Sequence, residues 1–242
     1  MNILTFGSCL ARWTGNALVK QFNARIISCV YHNRSDVYIK YNLGFDPQPD
    51  WNHLRNEMIG NREININDEN PAIILANQNP ETLGIHDLQG TGIALKKLAA
   101  KDVDVILMDA HMDLGARLWS DKEGRFPFFM RQDLAPMVEK KWVQGDFLDP
   151  KVAAANNAKI AHDLKQKFAR AHVIFLHFPH SAYGDASART QRTIAFCEEF
   201  NAYDIRSIPL TEVDSSEFTN SASHFKPSFY DRMAGMCTAT IG

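Results

Sequence analysis

The 242-residue chain predicts an α/β fold: a three-layer arrangement with a mostly parallel sheet of five or slightly more strands and helices on both faces. Three observations carry this. Short apolar runs suited to buried strands alternate with longer stretches of helical periodicity. Polar clusters follow the apolar runs at their C-terminal ends, and no internal repeat or low-complexity linker interrupts the order. A single domain over residues 1–242 is expected, with an irregular excursion at about 40–70.

In Asn2–Gly7, Ile3, Leu4 and Phe6 suit a buried strand, Gly7 permits a tight turn, and Leu10, Trp13, Ala17 and Leu18 then recur at helical spacing. Residues 24–31 read as the second strand and run into a polar loop at 32–36. Gly44, Pro47 and Pro49 punctuate the excursion, with a short helix suggested around Trp51 and Leu54. The apolar run at 71–76 reads as a third strand, followed by a loop through Asn77, Gln78 and Asn79 and a helix over about 84–100. A fourth strand at 103–108 ends in the polar group Asp109 to Asp113, and 119–127 reads as a loop with a Gly-Arg turn. Val152, Ala155, Ile160, Leu164 and Phe168 give 151–170 the apolar face of a long helix. A fifth strand at 172–178, a helix at about 186–200, a short strand at 205–208 and a closing helix from about Pro227 complete the order.

Composition narrows the function classes. With 26 basic and 28 acidic residues the net charge is −2, which offers no long-range attraction for nucleic acid or an anionic membrane. No apolar stretch approaches the roughly 20 residues that span a bilayer, and no secretory pattern precedes the first strand, so a cytoplasmic protein is expected. Cys9, Cys29, Cys197 and Cys237 are too scattered for a disulfide framework or a paired-cysteine zinc site. The histidines and aspartates at 109–113 and 177–180 lack metal-ligand spacing, and no phosphate-binding glycine loop occurs; no metal is expected.

In a parallel sheet ligands sit beyond the carboxyl ends of the strands. The clusters after the predicted strands can therefore share one rim: Ser8 and Cys9; Asn33, Arg34 and Ser35; Asn77 and Asn79; Asp109 and Asp113. Ser8 and Cys9 fall beside a helix N-terminus, where unpaired N–H groups favour developing negative charge, so either suits a nucleophile. The other residues offer substrate or oxyanion contacts. Plainer roles stand beside these: Asp109 and Asp113 as helix caps, Arg34 as the partner of Asp36, and Cys9 as a packing residue.

A nucleophile directly after the first strand and a histidine just before the last helix resemble the flavodoxin-like SGNH or GDSL hydrolase superfamily. Gly7-Ser8-Cys9-Leu10 occupies the frame of the family's Gly-Asp-Ser-Leu, which places Cys9 where the family has its nucleophile. This opening is most similar to a Gly-Ser-Cys branch associated with bacterial polysaccharide biosynthesis, and the segment 104–113 resembles that branch's strand and acidic loop. The family's Asp-x-x-His falls on Ser221-Ala222-Ser223-His224. The resemblance thus implies His224 as catalytic base, with Ser221 in the acid's place and Ser221 or Asp214 orienting the ring. It further implies an acyl-ester hydrolase or acyltransferase acting on a carbohydrate or polysaccharide precursor. Hydrolysis would need no cofactor, and acyl-CoA would serve as donor in a transfer. The alternative is a non-catalytic carbohydrate- or CoA-binding protein on the same fold.

Overall fold

The computed structural model describes residues 1–44, 46–59, 71–85, 92–131, 141–179, 184, 187–219 and 224–241. Its centre is a five-stranded sheet in the order β2-β1-β3-β6-β7, with every pairing parallel. The strands are β1 (Asn2–Gly7), β2 (Arg25–Tyr31), β3 (Val105–Met108), β6 (His172–Leu176) and β7 (Ser207–Ile208). A two-stranded antiparallel sheet, β4 (Arg117–Ser120) with β5 (Val143–Phe147), lies between β3 and β6 in the chain. The main-sheet order is flavodoxin-like, and the chain departs from β1 and β3 in opposite directions, which opens a crevice between their carboxyl ends.

Alternation along the strands builds two cores. On one face Leu4, Phe6, Ile106, Met108 and Phe175 pack with the long helix α6 (Pro150–Lys167) and with α7 (Ala188–Phe200). On the other, Ile3, Val105, Leu107, Ile174 and Leu176 pack with α1 (Cys9–Gln21) and α8 (Pro227–Ile241). Each central strand is buried on both sides, which is why it reads as an unbroken apolar run. A satellite core forms under the excursion. Val37 of α2 (Ser35–Tyr38), Trp51 and Leu54 of α3 (Trp51–Ile59) and Ile74 and Leu75 of α4 (Pro71–Ala76) pack there against Leu118, Trp119 and Phe128.

Three expectations are corrected. The run at 71–76 is helix α4, not a strand: a six-residue apolar run has no decisive period, and Pro71 suits a first helical position. The expected helix at 84–100 is not formed where the chain is described. Gly84 has φ +94°, Ile85 bridges Cys29, and only Leu95–Lys97 make a 3₁₀ turn. That segment runs along β2, with Cys29 N–H donating to Gly84 O at 2.8 Å and Ile93 N–H to Ile27 O at 2.8 Å, so it covers the sheet edge. Finally, Trp119 belongs to β4 and exchanges two hydrogen bonds with Phe128, leaving the Gly124-Arg125 turn as the loop proper.

Gly7 ends β1 with φ +149°, and a Cβ there would meet the Asp109 carboxyl carbon at 2.6 Å. Gly7→Ala is therefore expected to lower stability by on the order of 3 kcal/mol, through backbone strain and the displaced carboxyl group. A urea unfolding curve with an unchanged midpoint would contradict this.

Candidate functional site at the β1/β3 switch point

The turn after β1 is built around one buried carboxyl group. Asp109, directly after β3, accepts Ser8 N–H at 2.8 Å and Ala11 N–H at 2.9 Å on Oδ2, and His111 N–H at 3.0 Å on Oδ1. Burial pushes its carboxyl up, against the pull of these three N–H groups. Ser8 is the N-cap of α1: its Oγ accepts Leu10 N–H at 3.2 Å. The expectation that backbone N–H groups beside Cys9 receive an oxyanion is thus corrected for Ser8, Leu10 and Ala11, whose N–H groups already have acceptors. Asp109, expected as a substrate contact, is the residue that takes two of them.

Cys9 is the first residue of α1 and is buried against Cys29, Tyr31 and Ile26. The phenol of Tyr230 is pushed up, mainly by burial. Tyr230 in turn accepts Phe225 N–H at 3.3 Å on its hydroxyl, next to His224. Thr219 Oγ1 donates to His224 O at 2.7 Å, Phe225 bridges Phe218, and His224 is exposed ahead of α8.

His111 links the two sides. Its imidazole is pushed well below the usual range by burial first and then by the charges of Arg189, His32 and His224. Arg189 Nη2 lies 2.7 Å from His111 Nε2 and 3.1 Å from Nδ1, and a guanidinium only donates, so the ring accepts and is neutral. The Phe178 ring closes this pair at 4.4 Å from the imidazole. Helix α7 aims Arg189 here: one turn later Arg192 Nε donates to Leu114 O at 3.0 Å, locking α7 onto α5 (His111–Gly115).

Ser8, Cys9 and Asp109 thus meet at the β1/β3 switch point, and Asn77 adjoins them, its Oδ1 accepting at 3.4 Å the N–H of Tyr31, which packs on Cys9. Arg34, expected as a substrate contact, cross-links its surroundings: its guanidinium is bidentate to Asp36 at 2.6 and 2.8 Å and donates to the carbonyls of Ala116 and Asp146. Asp113 is likewise structural, accepting Ser35 N–H at 2.7 Å and Asn157 Nδ2 at 2.5 Å. Ser35 is buried, and its Oγ accepts from Asn156 at 3.3 Å. Asn33 donates to Asn77 O at 2.9 Å, and its buried Oδ1 has no hydrogen-bond partner among the described residues. Asn77 Nδ2 donates to Ile73 O, and Asn79 Oδ1 accepts Glu81 N–H within its own turn. The carboxylate of Asp214, expected to orient His224, caps a 3₁₀ turn at Ser215–Glu217 through the N–H and hydroxyl of Ser216. Ser221 lies outside the described residues, as does His180 of the 177–180 group.

Sequence reasoning missed Arg189, Tyr230 and His32 as members of this cluster. His111 was visible in the polar group after β3, but a lone arginine in the first turn of a helix carries no signal. Among the described residues no His, Cys, Asp and Glu group is placed to hold a metal ion, and no helix is long and apolar enough to cross a membrane.

No family model and no curated protein sequence matches the chain. It superposes on a family two carbohydrate esterase from Clostridium thermocellum in complex with cellohexaose at a TM-score of 0.50 and 11% identity, covering 99% of this chain and 63% of that one. An active site mutant of a family two carbohydrate esterase from Clostridium thermocellum gives 0.46 at 11% identity, over 99% and 62% of the two chains. A carbohydrate esterase whose active site displays divergent catalytic and non-catalytic binding functions gives 0.44 at 13%, over 99% and 64%. The first likeness establishes a shared SGNH-like fold, of which this chain spans less than two thirds of the esterase's length.

Burial raises the Asp113 carboxyl to about 7, with Ser35 N–H and Asn157 opposing. A folded pKa above the unfolded value of 3.8 means the native state holds the extra proton, so this stability is complete below about pH 4 and is lost as pH rises through about 7. Asp113→Asn is expected to flatten the stability profile between those limits. An unchanged slope in denaturant midpoints across that window would refute the assignment.

Proposed function

We propose that the protein cleaves or transfers an acyl group on a carbohydrate, with Cys9 as nucleophile and His224 as its base. The observation that supports this most is the placement of Cys9 at the first position of α1, on the β1/β3 switch point, with the Tyr230 hydroxyl accepting at 3.3 Å the N–H of Phe225, the residue after His224. In the proposed reaction Cys9 Sγ bonds to the acyl carbon and its proton passes to His224. Collapse of the tetrahedral oxyanion expels the sugar oxygen, which takes that proton, and leaves a thioester. Water then releases the acid, or an acceptor hydroxyl takes the acyl group. In a transfer from acyl-CoA, the CoA thiolate is the first leaving group. Because the N–H groups of Ser8, Leu10 and Ala11 are occupied, we assign the oxyanion contact to side chains, with Arg189 the leading donor. A cytoplasmic role in polysaccharide assembly belongs to the same proposal and rests on the Gly-Ser-Cys opening.

A second reading is favoured by one observation: a thiol buried among Cys29 and Tyr31, beside a helix start already occupied by Asp109, suits a carbohydrate-binding protein without turnover. Assays with p-nitrophenyl acetate, an acetylated monosaccharide, and acetyl-CoA plus a sugar acceptor separate hydrolysis, transfer and binding alone. Cys9→Ala and His224→Ala are each expected to lower turnover by about 10²-fold or more. Ser8→Ala removes the N-cap and lowers stability by about 1 kcal/mol. A larger loss of turnover in Ser8→Ala than in Cys9→Ala would overturn the choice of nucleophile.

A further inference from the structure

Beside His224 a groove of about 270 Å³ runs between α1 and α8. Its α1 wall is made by Trp13, Asn16, Ala17 and Lys20, spaced three and four residues apart and therefore on one helix face. Its α8 wall is made by Tyr230 and Asp231. Trp13 is 43% exposed, unlike the fully buried Leu10 and Leu18 of the same helix, so its indole is not needed to hold α1 on the sheet. It is nonetheless braced: the Arg12 guanidinium carbon lies 5.7 Å from its ring centroid and the Tyr230 ring 6.4 Å. An exposed aromatic surface held in place loses little conformational freedom when a ligand stacks on it.

We infer that this groove is a sugar subsite, in which one neutral pyranose ring stacks on Trp13 with its hydroxyls on Asn16 and Asp231, beside His224. The inference rests on the carbohydrate reading of the same site and adds where the sugar lies. Three features select this class of ligand. The aromatic wall matches the apolar C–H face of a pyranose. The polar wall combines an amide, a carboxylate and an ammonium group, whose charges cancel, so a polyol is matched better than an ion. Asp231 is already oriented, since its Oδ1 accepts Gln21 Nε2 at 3.3 Å. The volume falls just short of the roughly 300–1,000 Å³ of pockets for drug-sized ligands, which fits one ring and not an enclosed chain. Tyr230 forms the common wall: it lines the groove and lies within the electrostatic reach of Cys9.

Saturation-transfer NMR on the full chain, with methyl β-glucopyranoside, methyl β-galactopyranoside and N-acetylglucosamine at tens of millimolar, tests this directly. The wild type is expected to transfer magnetisation to the ring protons of at least one probe. Trp13→Ala is expected to weaken that binding roughly tenfold, equivalent to about 1.4 kcal/mol, and Trp13→Phe to restore part of it. An unchanged thermal melt checks that the exposed substitution leaves the fold intact. Transfer to none of the probes, or binding to Trp13→Ala within a factor of two of wild type, overturns the subsite. Trp13-dependent binding without ester cleavage or acyl transfer by the wild type keeps the subsite and defeats the catalytic reading. Cleavage or transfer with Trp13-independent sugar binding does the reverse.

Discussion

The rim of this protein depends on the carboxyl group of Asp109 lying beneath the first turn of α1. One side chain from the end of β3 accepts N–H groups from Ser8, Ala11 and His111, and so joins β1, α1 and α5 across the switch point. The approach is close enough that residue 7 has to lack a side chain. Glycine at the strand end, serine at the cap and aspartate after the neighbouring strand are therefore a single requirement, distributed over 103 positions of sequence from Gly7 to Asp109 counted inclusively.

The same device recurs on the β2 side. Asp113 receives Ser35 N–H and Asn157, and Arg34 grips Asp36 and two carbonyls, so the loop after β2 is tied to α5, α6 and β5. Buried polar groups of this kind have to be fully satisfied, and here they satisfy one another. Polar strand ends in an α/β protein are thus of two kinds: those that hold the rim together and those that face what binds there. In this chain the first kind comes from the strand ends themselves. In the proposed site, the second comes from α7, α8 and the segment ahead of α8, through Arg189, Tyr230 and His224.

That division explains what could be read from the amino-acid order. Sheet strands β1, β2, β3 and β6 were legible because double burial writes an unbroken apolar run, and α6 because its apolar face repeats over many turns. The run at 71–76 carried the same composition but folds as α4, since six apolar residues have no period to distinguish the two. Of the proposed site, the reading of Ser8, Cys9 and His224 comes from the strand-turn-helix corner and the family frame. Asp109 was legible as a polar strand end, though its role was not: an aspartate that binds a substrate and one that caps a distant helix look alike until the partner N–H groups are placed. Arg189 and Tyr230 left no trace, because their significance is entirely tertiary.

The occupied helix start also changes how the thiol would be activated. In the simplest picture α1 itself would favour a thiolate through its unpaired N–H groups. Here the N–H groups of Ser8, Leu10 and Ala11 already face oxygen acceptors, so the helix has less to offer Cys9. His111 is neutral and accepts from Arg189, which removes it as a source of positive charge. The guanidinium of Arg189, held against His111, is the permanent cation beside that ring. In the proposed chemistry, activation of Cys9 therefore falls to side chains from α7 and from the segment ahead of α8 rather than to the start of α1.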